Sequence, residues 1–237
     1  MLRTGTTAED LALCCGVDPK TAERWISLGR VPHRQHRWAA SRRLGYDEAY
    51  LWPDAAGAHR AEASASELIR LYPDRAGVPR ELFHRMLDGA REEIGILVYA
   101  ALFLAEDPVI RELLAAQARA GVRVRLLFGD PDCPAVAQRG IEEGIGPDAI
   151  GVKIRNVLSL LRALPDAGAE IRLHRTTLYN SVYRADDELL VNIHVHGYVA
   201  GCAPVLHLRR LSGGSLAATY LDSFTRIWDD AAPWKGD

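Results

Sequence analysis

Thr7–Ser27 reads TAEDLALCCGVDPKTAERWIS, and this stretch decides how the first part of the chain folds. Thr7 followed by Asp10 is a capping-box-like start, which predicts a helix over about Thr7–Cys15. Gly16 supplies a turn, and Asp18 before Pro19 starts a second helix. The aspartate can accept from orphan N–H groups, and proline has no N–H to leave orphaned. The second helix is expected over about Pro19–Leu28, stopped at Gly29. Ala12 is small enough for close helix contact, Val17 is the aliphatic residue the turn buries, and Trp25 pins the second helix to the first. The pattern is a helix-turn-helix, followed by a third helix over about Arg34–Leu44 and a closing Asp47–Pro53 segment.

The chain has 237 residues, 48% of them apolar, and a net charge of −2, so total charge points to no partner. Its distribution does. Residues 1–54 hold eight basic and seven acidic residues, against 21 and 24 in the remainder. Within Lys20–Arg43, seven basic residues face one acid, Glu23. Lys20, Thr21, Glu23 and Arg24 fall on the early face of the second helix, where they would reach base edges. Arg30, His33, Arg34 and Arg37 are placed for phosphates, which hold a protein on a duplex without reading its sequence. Double-stranded DNA is therefore the expected partner. One short motif makes few contacts, so a homodimer on paired half-sites is expected as well. Trp25, Trp38 and Trp52 read as core, with an interface position left open to Trp38 beside Arg37.

Residues 1–54 read as one domain and the small, polar stretch 55–66 (AAGAHRAEASAS, after Asp54) as a linker to a second domain at 67–237. In that second part strands and helices alternate. Strands are expected at Leu68–Tyr72, Ile94–Leu104, Val122–Phe128, Ala169–His174, Leu178–Arg184, Glu188–His194 and Pro204–Arg209. Helices are expected at Pro79–Glu92, Asp107–Ala120, Ala135–Leu164 with a break at Gly144–Pro147, and Leu216–Asp230. The fold class is α/β: an all-α module plus a mixed α/β sandwich. Gly129–Pro134 follows a strand's carboxyl end, where open sheets bind ligands.

Cys14, Cys15, Cys133 and Cys202 show no CxxC spacing and read as free thiols of a cytoplasmic protein. The N-terminus has no signal-peptide pattern, and the apolar run Ile94–Ala105 is too short to span a bilayer, so no membrane association is expected.

The hairpin over Leu178–His196 is unusually polar. Tyr179, Asn180, Arg184, Asp186, Asn192, His194 and His196 are the candidate residues for a small polar or phosphorylated ligand, with Arg184 as anion clamp. A hydrogen-bonded structural network is the alternative. Alternation places Asn180, Val182 and Arg184 on one face, Tyr179, Ser181 and Tyr183 on the other, and Asn192, His194 and His196 together. A metal at His194-x-His196 with Asp186 is the weaker reading, and no cofactor or metal is expected. Gly213-Gly214 gives only a weak phosphate signal.

GVDPKTAERWISLGRVPHRQHR followed by LGYDEAYLWP resembles the lambda-repressor-like (Xre-type) regulators. Nearly the whole chain resembles actinobacterial regulators in which such a module precedes an α/β domain, and HRTTLYNSVYRADDELLVNIHVHG is the distinctive part of its second half. EIGILVYAALFL, AGVRVRLLFGD and the terminal YLDSFTRIWDDA resemble one half of the phospholipase-D fold. Active members of that superfamily carry His-x-Lys-x4-Asp. Read from His174, the lysine and aspartate positions are Thr176 and Ser181. Aligned on Asp186, the histidine and lysine positions are Tyr179 and Ser181; aligned on Asp187 they are Asn180 and Val182. No register supplies both groups. The resemblance thus implies a DNA-binding transcriptional regulator whose phospholipase-D-like domain has lost catalysis and senses a ligand or dimerises. The alternatives are a phosphodiesterase or nuclease using His174, His194 or His196, and a protein-interaction regulator with no small ligand.

Overall fold

The computed structural model describes residues 5–52 and 61–236, which divide into two compact units, Met1–Ala63 and Ser64–Asp237. Pro53, Asp54 and residues 55–60 of the expected linker lie outside the described residues. The rest of that stretch, 61–66, is helical (α5), and Ser64 Oγ accepts the Ser215 N–H at 2.9 Å within the second unit.

The first unit contains α1 (Ala8–Cys15), α2 (Pro19–Ser27), α3 (Arg34–Leu44) and α4 (Glu48–Leu51). Its ends form as local chemistry dictates. Thr7 and Asp10 make a reciprocal capping box, with the Thr7 N–H donating to Asp10 Oδ2 at 2.9 Å and the Asp10 N–H to Thr7 Oγ1 at 3.1 Å. Gly16 ends α1 at φ +67°, a left-handed turn that a side chain would resist. Asp18 accepts the Lys20 N–H at 2.9 Å and Pro19 opens α2. Leu11, Ala12, Cys15, Ala22, Ala40 and Leu44 form a small core, edged by Val17, Trp25 and Trp52. Trp38 does not join it. That ring is 58% exposed, with the Arg42 guanidinium 4.9 Å above it.

The second unit is built on one eight-stranded sheet in the order β1-β7-β6-β5-β2-β3-β4-β8. The strands are β1 (Leu68–Tyr72), β2 (Glu93–Leu97), β3 (Arg123–Gly129), β4 (Glu170–His174), β5 (Asn180–Ala185), β6 (Glu188–Ile193), β7 (Val205–Arg209) and β8 (Ala232–Pro233). β2, β3 and β4 run parallel, and the remaining pairs are antiparallel. The fold is mixed α/β. Ile96 and Leu126 on one face meet Leu104 of α7 (Leu102–Ala105), Leu114 of α8 (Pro108–Arg119) and Val157 of α10 (Ala149–Leu160). Phe83 of α6 (Arg80–Gly89) stands edge-on to Tyr183 on the same side. The opposite face carries α11 (Leu216–Asp230), whose Phe224 ring lies so near Gly95 that a Cβ there would be 3.1 Å away. α9 (Pro134–Glu142) precedes α10.

The expected strand Ile94–Leu104 is corrected: β2 stops at Leu97, Ala101 turns at φ +56°, and Leu102–Ala105 is a helical turn. The run is apolar because strand, loop and helix here are all largely buried, and such a run has no period that separates them.

Candidate functional site

Lys20, Glu23, Arg24 and Ser27 recur at i, i+3, i+4 and i+7 along α2, so they share one exposed face, opposite buried Ala22 and half-buried Trp25. Thr21 is half-buried beside them. Arg30 follows α2, and His33 and Arg34 open α3, all three exposed. Arg37 is different and corrects the expectation of a phosphate contact. It is buried, with Nε donating to Glu48 Oε2 and Nη1 to the Pro32 carbonyl, each at 3.3 Å. Those bonds tie α3 to α4 and to the loop before α3.

The hairpin residues do not form one site. Arg184 lies on the α11 face in a cluster where Glu93, almost fully buried, takes Arg184 at 2.9 Å, Arg123 at 3.2 Å and Arg125. Arg125 in turn stacks over Phe224 and Trp228. Asp186 sits in the β5–β6 turn at φ +52° and accepts the N–H groups of Arg91, Glu92 and Glu93 at 2.8–2.9 Å. Burial pushes its carboxyl up, but those bonds outweigh it and hold the group below the ordinary aspartate value. Tyr179, 78% exposed, and Asn180 border a depression of ≈ 490 Å³ against α11. Asn192 is fully buried, its amide donating to the Ala203 and Pro204 carbonyls while Oδ1 finds no partner. β6 ends at Ile193, and His196 is exposed in the turn beyond.

His194 alone of the seven lines the cavity of ≈ 410 Å³ at the carboxyl end of β2. Its Nδ1 lies 3.1 Å from the Leu178 carbonyl, which assigns the ring proton to Nδ1 and leaves Nε2 to accept from Ser181 Oγ at 3.0 Å. Burial, with Arg139 nearby, pushes the imidazole down to about 4. Tyr99 stacks on the ring at 5.8 Å. Tyr183 shares the cavity wall, its phenol pushed up to about 12 by burial. Arg75, Lys153, Glu106 and Glu143 complete the polar lining. Of Arg75, Tyr99, Lys153, Ser181 and Tyr183, sequence reasoning counted only Ser181 in the polar hairpin and set none among the candidate ligand residues. The usable signal was the end of β2, since ligands collect beyond the carboxyl ends of parallel strands. The acids of the loop expected there instead, Gly129–Pro134, have partners: Asp130 accepts the Asp132 N–H and pairs with Arg175, and Asp132 pairs with Arg155 of α10.

Two other expectations are answered by filled space. His174 is buried with Nε2 3.0 Å from the Val98 carbonyl. At Gly213-Gly214, the Glu67 carboxylate occupies the anion position, accepting the N–H groups of Leu211 and Leu216. A Cβ on Gly214 would lie 2.4 Å from that carboxyl carbon. Among the described residues no group of three or more His, Cys, Asp or Glu is placed to hold a metal, and no helix is long and apolar enough to cross a membrane.

Fold and site together define a two-unit chain: a small capped helical unit, and a single-sheet α/β unit with a polar cavity beyond a parallel strand. The chain belongs to the family described as "Domain of unknown function (DUF5919)", whose model matches residues 65–234. A search of curated proteins finds no match. Among solved structures the chain is similar to TrmBL2, an archaeal chromatin protein described as showing a novel mode of DNA binding. That likeness has 11% identity and a TM-score of 0.46, over 97% of this chain and 88% of that one. It is also similar to phosphatidylserine synthase from Haemophilus influenzae Rd KW20, at 14% identity and a TM-score of 0.46, over 69% of this chain but 38% of that one. Likenesses this distant carry no argument about what this chain does.

Proposed function

We propose that the protein is a cytoplasmic DNA-binding transcriptional regulator whose α/β unit senses a small polar ligand. The exposed α2 face carries the reading: Lys20, Glu23 and Arg24 are free for base edges while Arg30, His33 and Arg34 flank them for phosphates. The resemblance of this segment to Xre-type regulators agrees with that use. A homodimer on paired half-sites supplies the contacts that one such helix lacks. The ligand site of this reading is the cavity at His194 and Ser181, since the expected hairpin residues lie on opposite sides of the sheet.

The enzymatic alternative has less support. A phospholipase-D mechanism wants a histidine nucleophile and a lysine, which no register of the hairpin provides. Ser181 and His194 are hydrogen-bonded as a nucleophile and base would be, but an imidazole held near 4 is a weak base at neutral pH.

Genome-wide capture with the purified full chain and with Arg24→Ala/Arg34→Ala tests the proposal. A discrete inverted-repeat site, lost in the double variant, is the expected result. Capture of no DNA, or capture indifferent to the double variant, would overturn it.

A further inference from the structure

The cavity contains a cation that no carboxylate answers among the described residues. Arg75 is half-buried on its wall, with its guanidinium 3.9 Å from the centre of the Phe103 ring. Gly201 makes room for it, because a Cβ there would be 3.2 Å from Arg75 Nη2. In this unit Arg125, Arg139, Arg172 and Arg184, buried or half-buried, each face a carboxylate. Arg75 faces none among the described residues, and neither does Lys153 on the same cavity. A guanidinium partly withdrawn from water with no counter-ion carries a desolvation cost, and an anion entering the cavity would relieve it. Of the two acids in the lining, Glu143 is occupied by Arg139 at 2.9 Å and Glu106 is exposed to water.

The other end of the cavity has a fixed polarity. Ser181 spends its proton on His194 Nε2, so its oxygen presents lone pairs, one within reach of the Tyr183 hydroxyl and one left for a ligand. Between the two ends run Val98, Tyr99, Leu102 and Phe103, an apolar and aromatic wall. We infer that the cavity takes a small organic anion, a phosphomonoester or carboxylate carrying a hydroxyl or amine. Arg75 is its principal counter-ion, Lys153 the second cation, and Ser181 the acceptor for its donor group. This rests on the cavity being the ligand site of the regulator proposed above, and it moves the anion clamp from Arg184, which Glu93 already occupies, to Arg75.

The test is calorimetric titration and thermal shift of the full chain with glycerol 3-phosphate, malate and inorganic phosphate, against glycerol as neutral control. Binding of at least one organic anion is expected. Arg75→Gln should weaken it tenfold or more, Arg75→Lys should retain part of it, and Ser181→Ala should weaken it less than Arg75→Gln. Preference for glycerol 3-phosphate or for malate separates phosphate from carboxylate. Unfolding curves of each variant without ligand establish that the fold is intact. If no anion binds, or if Arg75→Gln binds as wild type does, the anion assignment is wrong. Glycerol binding that Ser181→Ala abolishes would overturn the anion while keeping the cavity a ligand site, and DNA capture is read independently of both.

Discussion

The α2 face and the β5–β6 hairpin are both polar in sequence, yet one gathers its polar residues and the other scatters them. On α2 the residues that matter lie within eight positions, and helical period alone decides that Lys20, Glu23 and Arg24 share a face. In the hairpin, Arg184 and Asp186 are claimed by partners about 90 positions earlier in the chain, at Arg91–Glu93. A local pattern is readable when its partner is solvent, and deceptive when its partner is distant chain. The first region is left exposed to solvent; the second is mostly spent on holding the sheet together.

That contrast can be broken most forcefully at Glu93. Glu93→Ala leaves three guanidiniums without their shared buried carboxylate and should destabilise the second unit by about 3–5 kcal/mol. Urea unfolding checks this, and near-wild-type stability would return Arg184 to the pool of free ligand-binding groups. Asp186→Ala should cost about 1–3 kcal/mol by orphaning three N–H groups, read from the same curves. Acid should do part of the same work. The folded-state carboxyl titrates below its unfolded value, so its contribution is present above roughly pH 4 and is lost as pH falls through the folded value.

Within the first unit, Arg37→Ala sharpens the comparison between exposed and committed cations. It should lower stability by about 1–2 kcal/mol while leaving the salt dependence of DNA binding unchanged, because Arg37 reaches Glu48 and Pro32 rather than solvent. The last effect, expected at His194, shows only as pH falls. Its folded imidazole titrates near 4 against 6.5 for the ordinary group, so it favours folding above 6.5 and loses that contribution as pH falls toward 4. His194→Gln should flatten the stability–pH curve across that window, and an unchanged curve would place the imidazole in water.

Much of the scaffold was legible. Arg34–Leu44 and Leu216–Asp230 are helical over the residues that their pattern predicts, because the Gly45 stop and 3.6-residue periodicity are local. The cavity was not. Ala101 turns the chain at positive φ inside an apolar run whose one glycine, Gly95, lies within β2 and which has no proline, so nothing marks the end of the strand. Arg75 lies in a connection between β1 and α6, and nothing in its neighbours announces that Gly201, 126 positions on, clears space for it. Alternation placed Arg184 and Ser181 on opposite faces, but it could not show which face held the cavity. Arg37 read as a phosphate contact because composition ranks an arginine by its charge, while burial beside Glu48 is a tertiary fact.

Everything proposed for the first unit depends on whether the exposed cations around α2 hold DNA. Fluorescence anisotropy of a random-sequence duplex, titrated with wild type and with Arg24→Ala/Arg34→Ala at several salt concentrations, measures this directly. Each phosphate that a side chain no longer neutralises should reduce the slope of log affinity against log salt by about 0.9. Weaker binding and a slope reduced by about 1–2 are predicted for the double variant, with unfolding curves unchanged. Equal affinity and equal slope for the two proteins would contradict a DNA-binding role for the α2 face.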